Sequence, residues 1–242
     1  MKWIWPASMF DERGQQRVLS CRSDLAMALA SGSNPMKHKA WCNEDSLAAH
    51  VLSDESLLVA VADAHFGGRA SELCVQRLLP AFLASEGLLH ERLERTVERI
   101  DQELLDDKEE TNELSESTCL IVHVSGRNVH FVNVGDSLLF VCKDGQVDKK
   151  NALSMRFLPL RYSIVGPSWD FGAFEVEEGS VLLLATDGIE EECSNLLYDE
   201  LGTFFQAEDE DLQDQLRSLL VRADDREQGG GRDNLGLIAI RC

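Results

Sequence analysis

Short apolar runs and one amphipathic stripe divide the chain into structural elements. The runs at 57–62 and 181–185 consist of leucine, valine and alanine and are followed by turn residues, so each predicts a buried strand. Between them, apolar residues recur every three or four positions from Leu89 to Leu104 and predict an amphipathic helix. A final apolar run at 235–240 predicts the last strand.

Strand connections in the middle of the chain are short. Two predicted strands, at 118–124 and 128–134, flank Ser125-Gly126-Arg127, and an Asp-Gly pair at 144–145 follows the strand at 137–142. Such turns join antiparallel neighbours in hairpins. Together with paired helical stretches, they predict an α+β protein with antiparallel sheets. No clear period runs through residues 1–39.

Composition narrows the class of partner. The chain has 242 residues, of which 44% are hydrophobic and 27% are charged, as in a globular protein. Its net charge of −20 would repel nucleic acid and anionic membranes, so we expect neither as a partner. No apolar stretch approaches the roughly 18 residues of a membrane span. Seven cysteines without a Cys-x-x-Cys pair indicate reduced thiols, and we expect a cytoplasmic monomer.

Acidic residues stand at the ends of several predicted strands. Asp63, Asp136 and Asp187 each follow an apolar run, Asp233 precedes one, and Glu44-Asp45 lies shortly before the first. One such residue is usually a turn former. If the strand ends converge, however, the carboxylates would repel one another unless divalent cations neutralised them. Oxygen ligands suit Mg²⁺ or Mn²⁺, and a pair of such ions can activate water for attack on phosphorus.

The residues resemble, in order, the motifs of the PPM family of metal-dependent, type-2C serine/threonine protein phosphatases. The matching segments are Asn43-Glu44-Asp45, Asp63-Ala64-His65 with Gly67-Gly68, Asn133-Val134-Gly135-Asp136-Ser137, Thr186-Asp187-Gly188-Ile189 and Asp233-Asn234. The resemblance implies an αββα four-layer sandwich, in which helix pairs flank two antiparallel sheets. It also implies a phosphatase domain over residues 40–242, with residues 1–39 as an N-terminal extension packed on the domain or preceding it.

The resemblance further implies hydrolysis of phosphoserine or phosphothreonine on a phosphoprotein substrate. The attacking water would be activated by two Mn²⁺ or Mg²⁺ ions, and a third ion would bind at a weaker site. Asp63 would bridge the two ions and the carbonyl of Ala64 would bind one of them. Asp187 and Asp233 would complete the coordination of the other ion, and Asp136 would bind the third ion.

Four further residues receive roles from the same resemblance. Glu44 and Asp45 would hold metal-bound waters. His65 matches the position of a proposed general acid, and histidine suits proton transfer near neutral pH. The arginine that grips phosphate in the family is replaced by Ala40, so Lys39 is the candidate phosphate ligand.

The motifs also depart from the family pattern near the first aspartate. Ala64 stands in place of a glycine, Phe66 is an additional residue before the glycine pair, and Leu138 replaces an arginine. These departures, with Ala40, leave two alternatives open. One is a non-catalytic pseudophosphatase that binds a phosphoprotein or another partner, and the other is a metal-dependent hydrolase of small phosphoesters.

Overall fold

The structure is a computed structural model that describes residues 1–33, 41–53, 56–160, 169–207 and 210–242. Its strands are β1 (Lys2–Trp5), β2 (Gln16–Arg22), β3 (Leu25–Ala30), β4 (Asp45–Ser53), β5 (Ser56–His65), β6 (Glu116–Ser117), β7 (Cys119–Ser125), β8 (Asn128–Val134), β9 (Leu138–Lys143), β10 (Gln146–Lys149), β11 (Asp170–Glu175), β12 (Val181–Ala185) and β13 (Leu235–Arg241). Its α-helices are α1 (Arg69–Ala84), α2 (Leu89–Thr111), α3 (Glu191–Ser194), α4 (Tyr198–Leu201) and α5 (Leu212–Ala223).

The strands form two antiparallel sheets. The first sheet has the order β1-β4-β5-β7-β8-β11, with the short β6 also paired to β5. The second sheet has the order β10-β9-β12-β13-β3-β2. The hairpin β7–β8 is in register from Ser125 opposite Asn128 to Cys119 opposite Val134, as the turn at 125–127 predicts.

Three hydrophobic clusters separate four layers. The central cluster packs the two sheets against each other, with Val59 and Leu47 of the first sheet beside Leu182 and Ile238 of the second. A second cluster joins the first sheet to α1 and α2, and a third joins the second sheet to α5 and the short helices before it. This arrangement confirms the predicted αββα sandwich of the α+β class.

The predicted helical stripe is the buried face of α2. Leu93, Val97, Ile100 and Leu104 are all buried against α1 and the first sheet, whereas the acidic and basic residues between them face outward. Within the described residues, no helix combines the length and apolar character needed to cross a membrane.

The N-terminal residues are part of both sheets, which differs from the extension expected for residues 1–39. Strand β1 pairs with β4 in the first sheet, and β3 lies between β13 and β2 in the second. All six residues of β3 are buried. The sequence Leu-Ala-Met-Ala-Leu-Ala has no polar residues that alternate with apolar ones and no β-branched residues. Its strand character therefore comes from tertiary pairing with β13, over two hundred residues later, and not from local propensity.

Candidate active site

Strand register brings the acidic motifs to one end of the sandwich. Asp45, the first residue of β4, lies directly opposite Asp63 near the end of β5. In the second sheet, the first residue of β9, Leu138, lies opposite Ala185, the last residue of β12. The segment that contains Asp136 therefore runs beside the segment that contains Asp187.

Thr118 connects Asp63 to the segment after β8. The Thr118 hydroxyl accepts a hydrogen bond from the Asp63 amide at 2.9 Å and lies 2.8 Å from the Ser137 hydroxyl. The Thr118 amide in turn donates to the Asp63 carbonyl at 2.8 Å. Because both Thr118 and Ser137 are fully buried, these bonds fix the backbone of Asp63 relative to that of the neighbouring Asp136.

The buried loop Asn43-Glu44-Asp45 connects the remaining motifs. The Thr186 hydroxyl donates to the Asp45 carboxylate at 2.6 Å, directly before Asp187. The Glu44 amide donates at 3.0 Å to the side-chain oxygen of Asn234, directly after Asp233. All five sequence motifs are thus linked at one end of the sandwich by described hydrogen bonds and strand pairing.

Gly188 allows the Asp187 and Asp233 segments to approach each other. A Cβ atom at Gly188 would overlap the backbone carbonyl oxygen of Asn234. Only glycine fits this contact without displacing one of the two segments. The glycine after Asp187 in the sequence is therefore a packing requirement of the site.

The site accumulates negative charge. Burial, and then the nearby Asp187 carboxylate, raise the pKa of Asp136 to about 6. Burial and Asp187 also raise the pKa of Glu190 above its usual value. One carboxylate oxygen of Asp136 is buried without a hydrogen-bond partner. Carboxylates that repel one another, with a buried oxygen open to coordination, fit a divalent cation chemically.

The described side chains do not form a complete metal-binding site, however. Among the residues that the structure describes, no three histidine, cysteine or acidic side chains surround a common point in metal-binding geometry. Backbone contacts and pairwise side-chain contacts therefore bring the motifs together. The metal-binding roles of Asp63, Ala64, Asp187, Asp233 and Asp136 stay predictions.

Ala64 fits its position without backbone strain. It is a buried residue of β5, and its amide donates to the Glu44 carbonyl at 3.2 Å. Its φ is not positive, so the replacement of glycine by alanine is tolerated here. Phe66, two residues later, has the positive φ instead.

His65 lies at the partly exposed edge of the site. It is the last residue of β5 and pairs with Glu116 of β6. Its Nδ1 atom lies 3.7 Å from a carboxylate oxygen of Glu116, and its ring packs edge-on against Phe157 at a centroid distance of 4.5 Å. Both contacts restrict the orientation of the imidazole. Lys39 and Ala40 lie outside the described residues.

Sequence reasoning missed the residues that join the motifs. Thr118 reads in the sequence as the first residue of a strand, and Thr186 and Asn234 read as neighbours of acidic residues. Their hydroxyl and amide groups cross-link segments far apart in the chain, which a single sequence does not reveal. In the sequence, only the positions of Thr186 and Asn234, next to Asp187 and Asp233, could have indicated that these residues belong to the site.

The sequence model of the protein phosphatase 2C family matches residues 36–221, more than half of the chain. The chain belongs to the protein phosphatase 2C family. No curated protein matches the sequence significantly. The match to the family model confirms the resemblance on which the site residues were assigned.

Solved structures share the fold of this family member at low sequence identity. A bacterial serine phosphatase is 17% identical with a TM-score of 0.74, over 90% of this chain and 97% of the other. Stp1, a serine/threonine phosphatase from Staphylococcus aureus, is 16% identical with a TM-score of 0.71, over 96% and 98%. The catalytic domain of the phosphatase PstP, in complex with two manganese ions, is 19% identical with a TM-score of 0.69, over 93% and 99%.

Proposed function

We propose that the protein hydrolyses phosphoserine or phosphothreonine on other proteins with the help of two divalent cations, Mn²⁺ or Mg²⁺. The observation that carries the proposal is the convergence of the five family motifs at one end of the sandwich. Membership of the protein phosphatase 2C family and the manganese pair in PstP support it.

The cations would be held by the carboxylates of Asp63, Asp187, Asp233 and Asp136 and by the carbonyl of Ala64. When bound, they would supply charge neutralisation of the phosphate and activation of a water molecule. The partly buried carboxylate of Asp136, whose pKa the nearby Asp187 carboxylate helps to raise and one of whose oxygens has no hydrogen-bond partner, supports this assignment. The number of cations and the third position at Asp136 remain part of the proposal.

Glu44 and Asp45 would hold water molecules that are bound to the cations. The Glu44 carboxylate accepts a hydrogen bond from the Gly67 amide at 2.7 Å, and Asp45 accepts one from Thr186. Each is almost fully buried, so these bonds hold the carboxylates in fixed directions from which they could bind water molecules of the cations.

His65 would donate a proton to the seryl or threonyl oxygen of the leaving group. It is exposed enough to meet a substrate, and Glu116 restricts its ring. A histidine imidazole can donate a proton to a leaving oxygen near neutral pH, the role of a general acid. Lys39 stays a candidate phosphate ligand on sequence grounds.

A phosphopeptide assay tests the proposal. Wild-type protein with Mn²⁺ should release phosphate from a phosphothreonine peptide, and chelation by EDTA should stop the release. Asp187→Asn should reduce kcat by at least a hundredfold, since it removes a negative ligand with little change of shape. Glu98→Gln, a change on the exposed face of α2, is the matched control and should behave as wild type. A folded protein without turnover under any divalent cation would overturn the proposal.

A second candidate is a pseudophosphatase that binds a phosphoprotein without hydrolysis. The departures from the family motifs at Ala40 and Leu138, where the family has arginines, favour it. Calorimetry separates the two candidates, because a pseudophosphatase would bind the phosphothreonine peptide without releasing phosphate. A panel of nucleotides and sugar phosphates, run beside the peptide, tests the small-molecule alternative.

A further inference from the structure

Phe66 combines an unfavourable backbone conformation with an exposed ring. Its φ is 64° and 77% of its surface is exposed. The other described non-glycine residues with positive φ are Asn112, Asp144 and Asn195, which are residue types that tolerate this region. A bulky aromatic residue there is a genuine outlier.

Hydrogen bonds on both sides of Phe66 impose this conformation. The Ala64 amide donates to the backbone carbonyl of Glu44, and the Gly67 amide donates to the Glu44 carboxylate. The Ser115 hydroxyl donates to the Gly67 carbonyl at 2.5 Å. The backbone is therefore fixed before and after Phe66, and the cost of its φ is not offset by burial of the ring. Strain of this kind persists where the surroundings over-determine it, commonly at ligand-binding positions.

The ring of Phe66 forms one end of an aromatic row at the edge of the candidate site. The ring centroid of Phe66 lies 6.3 Å from that of His65, and the ring centroid of Phe157 lies 4.5 Å from that of His65. We call Phe66, His65 and Phe157 the aromatic row. His65 follows Asp63 by two residues in β5, and Asp63 lies opposite Asp45, so the row is at the same end of the sandwich as the acidic motifs.

We propose that Phe66 is a specificity-determining residue, whose ring binds an apolar side chain next to the phosphorylated serine or threonine of the substrate. This inference rests on the proposed phosphatase function. A polypeptide whose phosphate meets the cations proposed for Asp63 and Asp187, with its leaving oxygen near His65, would bring the adjacent residues to the aromatic row. The fixed backbone holds the Phe66 ring in position before the substrate binds, so little conformational entropy of this loop is lost on binding.

Two phosphothreonine peptides of equal length and charge test this proposal, one with leucine and the other with serine on both sides of the phosphothreonine. Wild-type protein with Mn²⁺ should prefer the leucine peptide by roughly tenfold in kcat/KM, the usual effect of one apolar contact. In Phe66→Ala the ratio of kcat/KM for the leucine peptide to that for the serine peptide should fall to about one. Phe66→Leu should retain part of it.

Leu83→Ala is the matched control. Leu83 is also an exposed apolar residue, at 65%, but it lies near the far end of α1, roughly 20 Å along the helix from Arg69. This variant should keep the wild-type preference. An equal rate on both peptides in wild-type protein would overturn the role of Phe66 and leave the phosphatase function intact. Absence of hydrolysis of both peptides would overturn the phosphatase function itself.

Phe66→Asn separates a binding role from a structural one. Asparagine tolerates positive φ, so the variant should melt about 2–4 °C above wild type while losing the preference for the leucine peptide. A lower melting temperature in Phe66→Asn would show that the ring stabilises the fold, and would overturn the proposal.

Discussion

Replacement of Thr118 by valine tests how the acidic motifs are held together. Valine keeps the shape of threonine, including the methyl group beside Gly135, and it leaves the backbone bond from the Thr118 amide to the Asp63 carbonyl in place. It removes only the hydroxyl that accepts from the Asp63 amide at 2.9 Å and contacts the Ser137 hydroxyl at 2.8 Å. The change is therefore confined to the link between two motifs.

The expected cost follows from burial. Thr118 and Ser137 are fully buried, so water cannot replace the lost partner of the Asp63 amide. A buried donor left without a partner costs about 1–3 kcal/mol. We expect the free energy of unfolding to fall by about 2 kcal/mol, which corresponds to a melting temperature lower by roughly 4–8 °C in a protein of this size. The relaxed position of Asp63 should also lower kcat at least tenfold.

Urea denaturation and steady-state hydrolysis of p-nitrophenyl phosphate with Mn²⁺ measure the two effects. Thr118→Ser is the control, since it keeps the hydroxyl and removes only the methyl group. It should cost about 1 kcal/mol and leave kcat within a few-fold of wild type. A valine variant as stable and as active as the serine variant would refute the reasoning that Thr118 fixes Asp63.

Three further predictions concern other parts of the molecule. Burial lowers the pKa of His50 and of His123 to about 4, whereas an unfolded histidine titrates near 6.5, so the unfolded chain takes up protons first as pH falls. The free energy of unfolding should therefore drop by about 2 kcal/mol per histidine between pH 7 and pH 5, and urea denaturation of His50→Leu should show a shallower dependence. Gly188→Ala should cost about 1–3 kcal/mol and most of the activity, because its Cβ overlaps the Asn234 carbonyl; an active and stable variant would contradict that contact. Mn²⁺ at a hundredfold its Kd should stabilise the wild type by about 2.7 kcal/mol in thermal denaturation, and an equal shift in Asp187→Asn would contradict the ligand assignment.

The sequence predicts the elements whose signal is local. The buried strands β5 and β12 are short apolar runs, and α2 has one apolar stripe from Leu89 to Leu104. The acidic residue that follows each apolar run, Asp63 or Asp187, is equally visible, since a carboxylate at the end of an apolar run must be paired, hydrogen-bonded or bound to a metal. The order of five such motifs indicated both the sandwich and the family, and the structure and the family match confirm these two conclusions.

The parts that the sequence did not predict depend on distant partners. Strand β3 is composed of good helix formers and is a strand only because β13 and β2 pair with it on either side. Thr118 serves the site through Asp63, which lies 55 residues away in the chain. Phe66 was visible as an additional residue, but its positive φ follows from the bonds that Glu44 and Ser115 make to Gly67.

In the proposed mechanism, the strand-end carboxylates at this end of the sandwich hold divalent cations. Anomalous diffraction from crystals grown with Mn²⁺, recorded on either side of the manganese absorption edge, tests it most directly. We expect two strong anomalous peaks in contact with the carboxylate of Asp63, at least one of which also contacts Asp187. Saturating Mn²⁺ with no peak at Asp63, or with peaks only on exposed surface carboxylates, would contradict it.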